Sequence, residues 1–234
     1  MAMRIDVDGQ RGFVELVDCM IMPAATKTVR SARVSFARDQ TPTTPERDTA
    51  LLRALARDGH WSPFRHSPIT LHISAPEFVA RQWWKHVVGG PYSFLDTGWN
   101  EVSQRYTAVA DYYVPAEFHD QSTDRKQGSA GTSERSAEMI SRYQSTMNNA
   151  WSLYDDMLKA GISREEARMV LPLSVYTRWY WTPSQQAAFH FTDLRIASTA
   201  QSHIRMYAEA VRTICQQHYG IAWTAFEEAR HGTE

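Results

Sequence analysis

The sequence predicts an α+β fold, and three observations carry that expectation. Ile69–Ser74 (ITLHIS) alternates apolar and polar residues, Phe13–Asp18 (FVELVD) is a second strand-like run, and the later half of the chain is dominated by helical periodicity. Strands that come early and helices that come late, rather than in strict alternation, favour α+β over a parallel α/β sheet. At 234 residues the chain fits one domain spanning 1–234, long enough to bury a substantial core.

Taken in order, Phe13–Asp18 is the first strand. Thr44 caps a helix with Pro45 in its first turn, Leu51, Leu52 and Leu55 on its apolar side and Gly59 closing it. In Ile69–Ser74, Ile69, Leu71 and Ile73 share one face, and Pro76 starts a helix through Phe78, Val79, Trp83 and Trp84. The stretch Val87–Trp99 is rich in glycine and turn formers and reads as irregular. Ala116–Thr132 is polar, contains Gly128 and Gly131, and reads as a mobile surface loop. Ile140, Tyr143, Met147, Trp151, Tyr154 and Leu158 then mark a long amphipathic helix that Gly161 stops. Ser163 and Glu166 have capping-box spacing for a further helix ending at Pro172. Thr182, Pro183 and Gln185 open a last long helix running past Cys215.

Composition excludes several function classes. Hydrophobic residues make up 43% and charged residues 22%, which is globular rather than disordered. A net charge of −1 provides no general field for a nucleic-acid polymer. Only Cys19 and Cys215 occur, with no paired spacing, so neither a disulfide scaffold nor a zinc site is expected. No apolar leader and no membrane-length apolar run is present, and the expected location is the cytoplasm, away from membranes.

Four clusters carry chemistry. His60–His66 is a turn with two histidines ahead of a strand. In Arg81–His86, helical spacing gathers Gln82, Lys85 and His86 on one face. Asn100–Tyr106 (NEVSQRY) mixes acceptor, hydroxyl and guanidinium groups suited to a phosphate. The fourth runs from Arg168 to Arg195, where Leu194-Arg195 lies inside a helix beside Phe189 and Phe191. An arginine in such a setting is costly unless it meets an anion or a polarised oxygen, and a structural ion pair to Asp193 or Glu166 is the competing reading.

Together these stretches resemble the flavin-dependent thymidylate synthases. The likeness runs in order through Gly12–Asp18, Ala32–Phe36, His60–His66, Phe78–Gln82, Asn100–Tyr106, Ala167–Thr177, Leu194-Arg195 and Ala200-Gln201, nearly the whole chain. It implies an antiparallel sheet packed with long helices, in a homotetramer with FAD sites at subunit interfaces. It also implies NADPH as reductant, methylenetetrahydrofolate as carbon donor, and a uracil nucleotide, UMP or dUMP, as acceptor. By resemblance, Gln82, Lys85, Glu101, Ser103, Gln104, Arg105, Arg168 and Arg195 bind the nucleotide. Ser103 and Arg105 hold its phosphate, and Arg195 stabilises charge on the pyrimidine carbonyl edge, so Arg195 and Ser103 are the candidate catalytic residues. Ser35, His60, Ser62, Arg65, Lys85, His86, Val87, Ser184, Gln186, His190 and Leu194 match flavin-contacting positions. A conventional thymidylate synthase needs a thiolate, and neither cysteine sits in a reactive-looking motif.

The sequence also departs from that family's pattern. The signature Arg-His-Arg, seven residues, then Ser is here Lys85-His86-Val87 followed by the fifteen residues 88–102 before Ser103, eight more than seven. Arg65 stands where the family has an acid, Gln186 where it has an arginine, and Ser184 and His190 where it has asparagines. Three readings follow: an ordinary enzyme making dTMP, a specialised paralogue methylating UMP in nucleoside-antibiotic biosynthesis, or a nucleotide-binding protein without catalysis. The departures favour the specialised paralogue.

Overall fold

Strand alternation marks the strand Ile69–Pro76, and side-chain caps from Thr44 and Ser184 start the helices Pro45–Arg57 and Gln185–Ile196. The computed structural model describes residues 3–37, 41–88, 98–107, 111–123 and 128–232, without the side chains of 87 and 88. In chain order the elements are β1 (Arg4–Asp6), β2 (Phe13–Cys19), α1 (Ala24–Arg33), α2 (Pro45–Arg57), β3 (Ile69–Pro76), α3 (Glu77–Val88) and β4 (Gly98–Glu101). There follow β5 (His119–Gln121), β6 (Ser129–Thr132), α4 (Ser136–Lys159), α5 (Arg164–Ala167), β7 (Tyr176–Thr182), α6 (Gln185–Ile196), α7 (Ser202–Tyr219) and α8 (Ile221–His231).

The main sheet has the order β1-β2-β3-β7-β4, with every neighbouring pair antiparallel. As its alternation predicts, β3 buries Ile69, Leu71 and Ile73. Opposite it, β7 places Trp181 against Leu71 and Trp179 against Ile73. Trp83 of α3 meets Trp179 and Trp181 edge-on, each at 5.3 Å between ring centres, and stacks on Phe191 of α6 at 4.2 Å. A second cluster joins Leu52 of α2 and Phe64 to Phe226 of α8. Phe189 stacks on Phe226 at 4.4 Å and so links the two clusters through α6.

Several elements differ from the sequence reading. The last helix is three, α6, α7 and α8, separated by the non-helical residues 197–201 and by Gly220, whose φ of +54° closes α7. The strand β7 lies where the sequence reading placed none, and a late strand paired with β3 means the strands are not confined to the early half. Gly98 and Trp99, read as irregular, belong to β4, and Pro76 ends β3 rather than opening α3. The segment expected as a loop, 116–132, carries the hairpin strands β5 and β6. Ser163 precedes only one helical turn, and its side chain makes no capping bond. By contrast, Thr44 caps α2 by accepting from the Arg47 N–H at 3.4 Å, as its spacing predicts.

Asp8 ties the sheet to α7. Its carboxylate accepts the hydroxyls of Tyr176 at 2.6 Å and Tyr207 at 3.0 Å, and the N–H groups of Gln10 at 2.9 Å and Gly12 at 2.8 Å. A Cβ at position 12 would lie 2.0 Å from the Tyr207 hydroxyl and 2.4 Å from an Asp8 oxygen. Gly12→Ala should therefore force this knot apart and lower stability by about 1–3 kcal/mol. Thermal and urea unfolding of the variant measure it, and an unchanged midpoint would show that the knot carries no stability.

Candidate functional site

The Trp83–Phe191 stack holds α3 and α6 side by side, and the seam between them, termed the groove, is continued by the residues before α7. On α3, Gln82 and His86 are one helical turn apart and half-buried toward α6, whereas Lys85 is exposed. Gln82 donates from Nε2 to Gln201 Oε1 across the groove. His86 faces His190 at 6.1 Å and Phe191 at 5.5 Å between ring centres.

Arg195 lies in the last turn of α6. Its Nε is buried with no hydrogen-bond partner among the described residues. The structural ion pair does not form, because Asp193 is taken by Arg230 at 3.1 Å and His231 at 3.4 Å. Leaving a charged donor unpaired in a partly dehydrated site costs on the order of 1–3 kcal/mol, so the position is poised for an anion or a carbonyl oxygen. Its field is felt nearby. Burial, then the charge of Arg195, then His190 push the His86 pKa down to about 4. Burial is also the main cause that lowers His190.

At one end of the groove lies a cavity of about 320 Å³, lined by Gly59, Trp61, Gln186, His190 and Leu194 among others. That volume falls near the lower limit for ligand pockets. Gln186 is held there by Arg65, whose Nε donates to its Oε1 at 2.7 Å. Two positions that differ from the family pattern therefore contact each other. Its aromatic walls, Trp61, Phe189 and Phe226, with the His190 imidazole and the Gln186 amide, fit a planar, electron-accepting ring such as that of a flavin. Of the other positions matched to flavin contacts, Ser35, His60 and Ser62 are exposed and do not line the cavity. The Ser184 hydroxyl is buried and caps α6 by accepting from the Ala187 N–H at 3.2 Å, so it is spent within the fold. The Val87 side chain and the added residues Gly90–Thr97 fall outside the described residues.

A second group gathers at the end of β4. The Ser103 Oγ accepts both N (3.3 Å) and Nε (3.2 Å) of Arg105, whose guanidinium lies over the Tyr106 ring at 5.1 Å. Glu101 accepts from Thr177 Oγ1 at 2.7 Å and Trp99 Nε1 at 3.3 Å. Gln104 donates to Glu77 at 3.1 Å. Arg168 is exposed on the turn after α5, and its charge acts on Glu77. Among the described residues, no hydrogen bond or ion pair joins this group to Gln82 or Arg195. By hydrogen bonding, the sequence-predicted nucleotide residues therefore fall into two groups, or half-sites. Glu77 is an addition the sequence reading lacks, since it has no motif. Gln201 lies in a stretch that carries the family resemblance but has no site role in it, and its contact with Gln82 comes from a remote element.

The cysteines take no part in either group. Cys19 is exposed at the end of β2, and Cys215 is fully buried, where desolvation raises its thiol pKa. Among the described residues there is no cluster able to hold a metal ion, and no helix is long and apolar enough to cross a membrane.

The chain is similar in sequence and fold to known proteins. The family described as thymidylate synthase complementing protein matches residues 15–219. A flavin-dependent thymidylate synthase of Thermus thermophilus is 39% identical over 219 residues, covering 93% of this chain and 76% of that one. That of Thermotoga neapolitana is 36% identical over 217 residues, 92% of this chain and 91% of the relative. Among solved structures, a UMP/dUMP methylase PolB from Streptomyces cacaoi bound with 5-Br dUMP superposes with a TM-score of 0.79 at 29% identity, covering 91% and 93% of the two chains. The same methylase bound with 5-Br UMP gives 0.77 at 30%, covering 92% and 93%.

The electrostatics of the groove can be read directly. His86 should stay neutral down to about pH 4, and nitrogen-15 NMR of its imidazole follows this. Because the folded state binds this proton less readily than the unfolded chain, the contribution of His86 to stability is present above about pH 6.5 and declines as pH falls below it. In Arg195→Gln the His86 pKa should rise. A pKa near 6.5 in the wild type would remove the dehydrated, cationic environment assigned to the groove.

Proposed function

The chain belongs to the flavin-dependent thymidylate synthase family, and on that premise we propose that it methylates carbon 5 of UMP as well as dUMP. The coarser activity follows from the family: this is a flavin-dependent methyltransferase acting at carbon 5 of a uracil nucleotide. The observation that carries the mechanistic reading is Arg195, buried at Nε with no carboxylate partner among the described residues.

In this reading the uracil lies in the groove, with Gln82 orienting its edge. Arg195 stabilises the negative charge that develops on the carbonyl side as carbon 5 becomes nucleophilic. Ser103, Gln104, Arg105 and Arg168 grip the 5′-phosphate, through charge-assisted bonds in the case of the arginines. His190, Gln186 and Leu194 hold the flavin ring in the cavity, with Arg65 positioning Gln186. When bound, the flavin supplies the hydride that completes the methyl group. FAD is the flavin, methylenetetrahydrofolate supplies the carbon and NADPH the reducing equivalents. No enzyme thiolate is needed, in keeping with a buried Cys215 and a Cys19 remote from the groove elements.

The two half-sites support a homotetramer in which one protomer's groove meets its partner's Ser103–Arg105 turn. Val102, Tyr106, Met169 and Leu173 expose apolar surface around that turn, as an association surface would. The ribose preference is supported by the likeness to a methylase whose own description names both UMP and dUMP. A place in nucleoside-antibiotic biosynthesis, in the cytoplasm, is the matching role.

Two measurements test this. The flavin-loaded enzyme, supplied with methylenetetrahydrofolate and NADPH, should turn over both UMP and dUMP; activity on dUMP alone would leave an ordinary thymidylate synthase. Arg195→Ala should lower kcat by about 100- to 1000-fold while the fold is kept. A folded variant that retains most of its activity would make Arg195 structural.

A further inference from the structure

Glu77 stands out at the phosphate half-site because it is an acid where an anion is expected to bind. It opens α3, and the backbone fixes its place: its N–H donates to Val175 O at 2.9 Å and the next N–H, that of Phe78, to Leu173 O at 2.9 Å. Its Oε1 accepts from Gln104 Nε2 at 3.1 Å, so it anchors the middle residue of the Ser103–Arg105 turn. It is half-buried and feels the Glu101 carboxylate on β4, Arg81 on its own helix and Arg168 on the turn after α5. Among the described residues neither arginine forms a contact ion pair with it. Two carboxylates thus share a small region with two arginines that no carboxylate claims.

We propose that Glu77 is the exchangeable counterion of the phosphate site: it balances Arg81 and Arg168 while the site is free, and takes up a proton when the nucleotide's phosphate replaces it. The proposal rests on the reading that Ser103, Arg105 and Arg168 hold that phosphate. Burial first, and the Glu101 carboxylate second, push the Glu77 pKa up to about 7, against the pull of Arg81 and Arg168. A phosphate dianion adds negative charge to the same arginines and disfavours the Glu77 carboxylate further. The protonated acid still accepts from Gln104 through its carbonyl oxygen, so the turn keeps its anchor while one negative charge is removed. Glu77 therefore acts as a positioning residue whose charge state is coupled to nucleotide binding.

The test is calorimetric titration of the flavin-loaded enzyme with UMP at pH 7.5, in two buffers of different ionisation enthalpy. At that pH the UMP phosphate is already a dianion for the most part, because its second pKa is about 6. Binding should take up roughly three-quarters of a proton, the ionised share at pH 7.5 of a group with pKa about 7. Between pH 7.5 and 8.5 the UMP dissociation constant should rise by up to about tenfold. Uridine, which lacks the phosphate, should bind without proton uptake. Glu77→Gln should abolish the uptake and flatten the pH dependence, whereas a merely structural anchor would change affinity equally at every pH. UMP binding with no proton uptake, equal uptake with uridine, or uptake that survives in Glu77→Gln overturns the proposal. If neither UMP nor dUMP binds at all, the phosphate-site reading itself fails and takes the proposal with it.

Discussion

The functional geometry depends on one packing contact, the Trp83 indole inserted between β7 and α6. Trp83, Trp179, Trp181 and Phe191 are all buried. Large aromatic rings in edge-on and stacked arrangements give both area and orientation, about 0.5–1.5 kcal/mol per pair beyond their burial. Orientation matters more here than the energy. With Trp83 facing the sheet, Gln82 and His86 on either side of it in sequence turn toward α6 and the segment after it. Phe191 fixes the rotation of α6, and Arg195, one turn later, comes to the same side. A smaller residue at 83 would leave both helices in place while freeing their rotation, and the groove would lose its definition before the fold did.

How much of this is legible in the sequence depends on whether a signal is local. In Ile69–Ser74 the alternation is unambiguous because one face is buried and the other is partly wet. Thr44 with Pro45 marks its helix because a cap acts within four residues. In Tyr176–Thr182 only Thr177, Trp179 and Trp181 are buried, yet the exposed positions include Tyr180, so aromatic residues on both faces hide the period. The break after α6 contains neither glycine nor proline; Ala197 simply adopts an extended ψ of 140°. Ser163 and Glu166 have the right spacing, but the backbone leaves the helix after one turn, before a reciprocal cap is of use.

The site shows the same division. Arg195, Ser103, Arg105 and Arg168 are visible as residue types in a familiar order, since chemistry restricts those positions directly. Their division into two hydrogen-bonded groups is not visible, because it follows from contacts between elements remote in sequence. The roles of Glu77 and Gln201 are invisible for a related reason. Each depends on a partner remote in sequence, Gln104 at 27 residues' distance and Gln82 at 119. Arg65 is an intermediate case: its departure from the family pattern is legible, and its contact with Gln186, 121 residues away, is not.

That contact braces one wall of the cavity. Position 65 carries a guanidinium and position 186 a neutral amide, and Arg65 Nε donates to Gln186 Oε1 at 2.7 Å. Arg168 and Arg195, by contrast, are clear of carboxylate partners among the described residues. One guanidinium is thus spent on bracing a wall, while the other two keep unneutralised charge at some cost in stability.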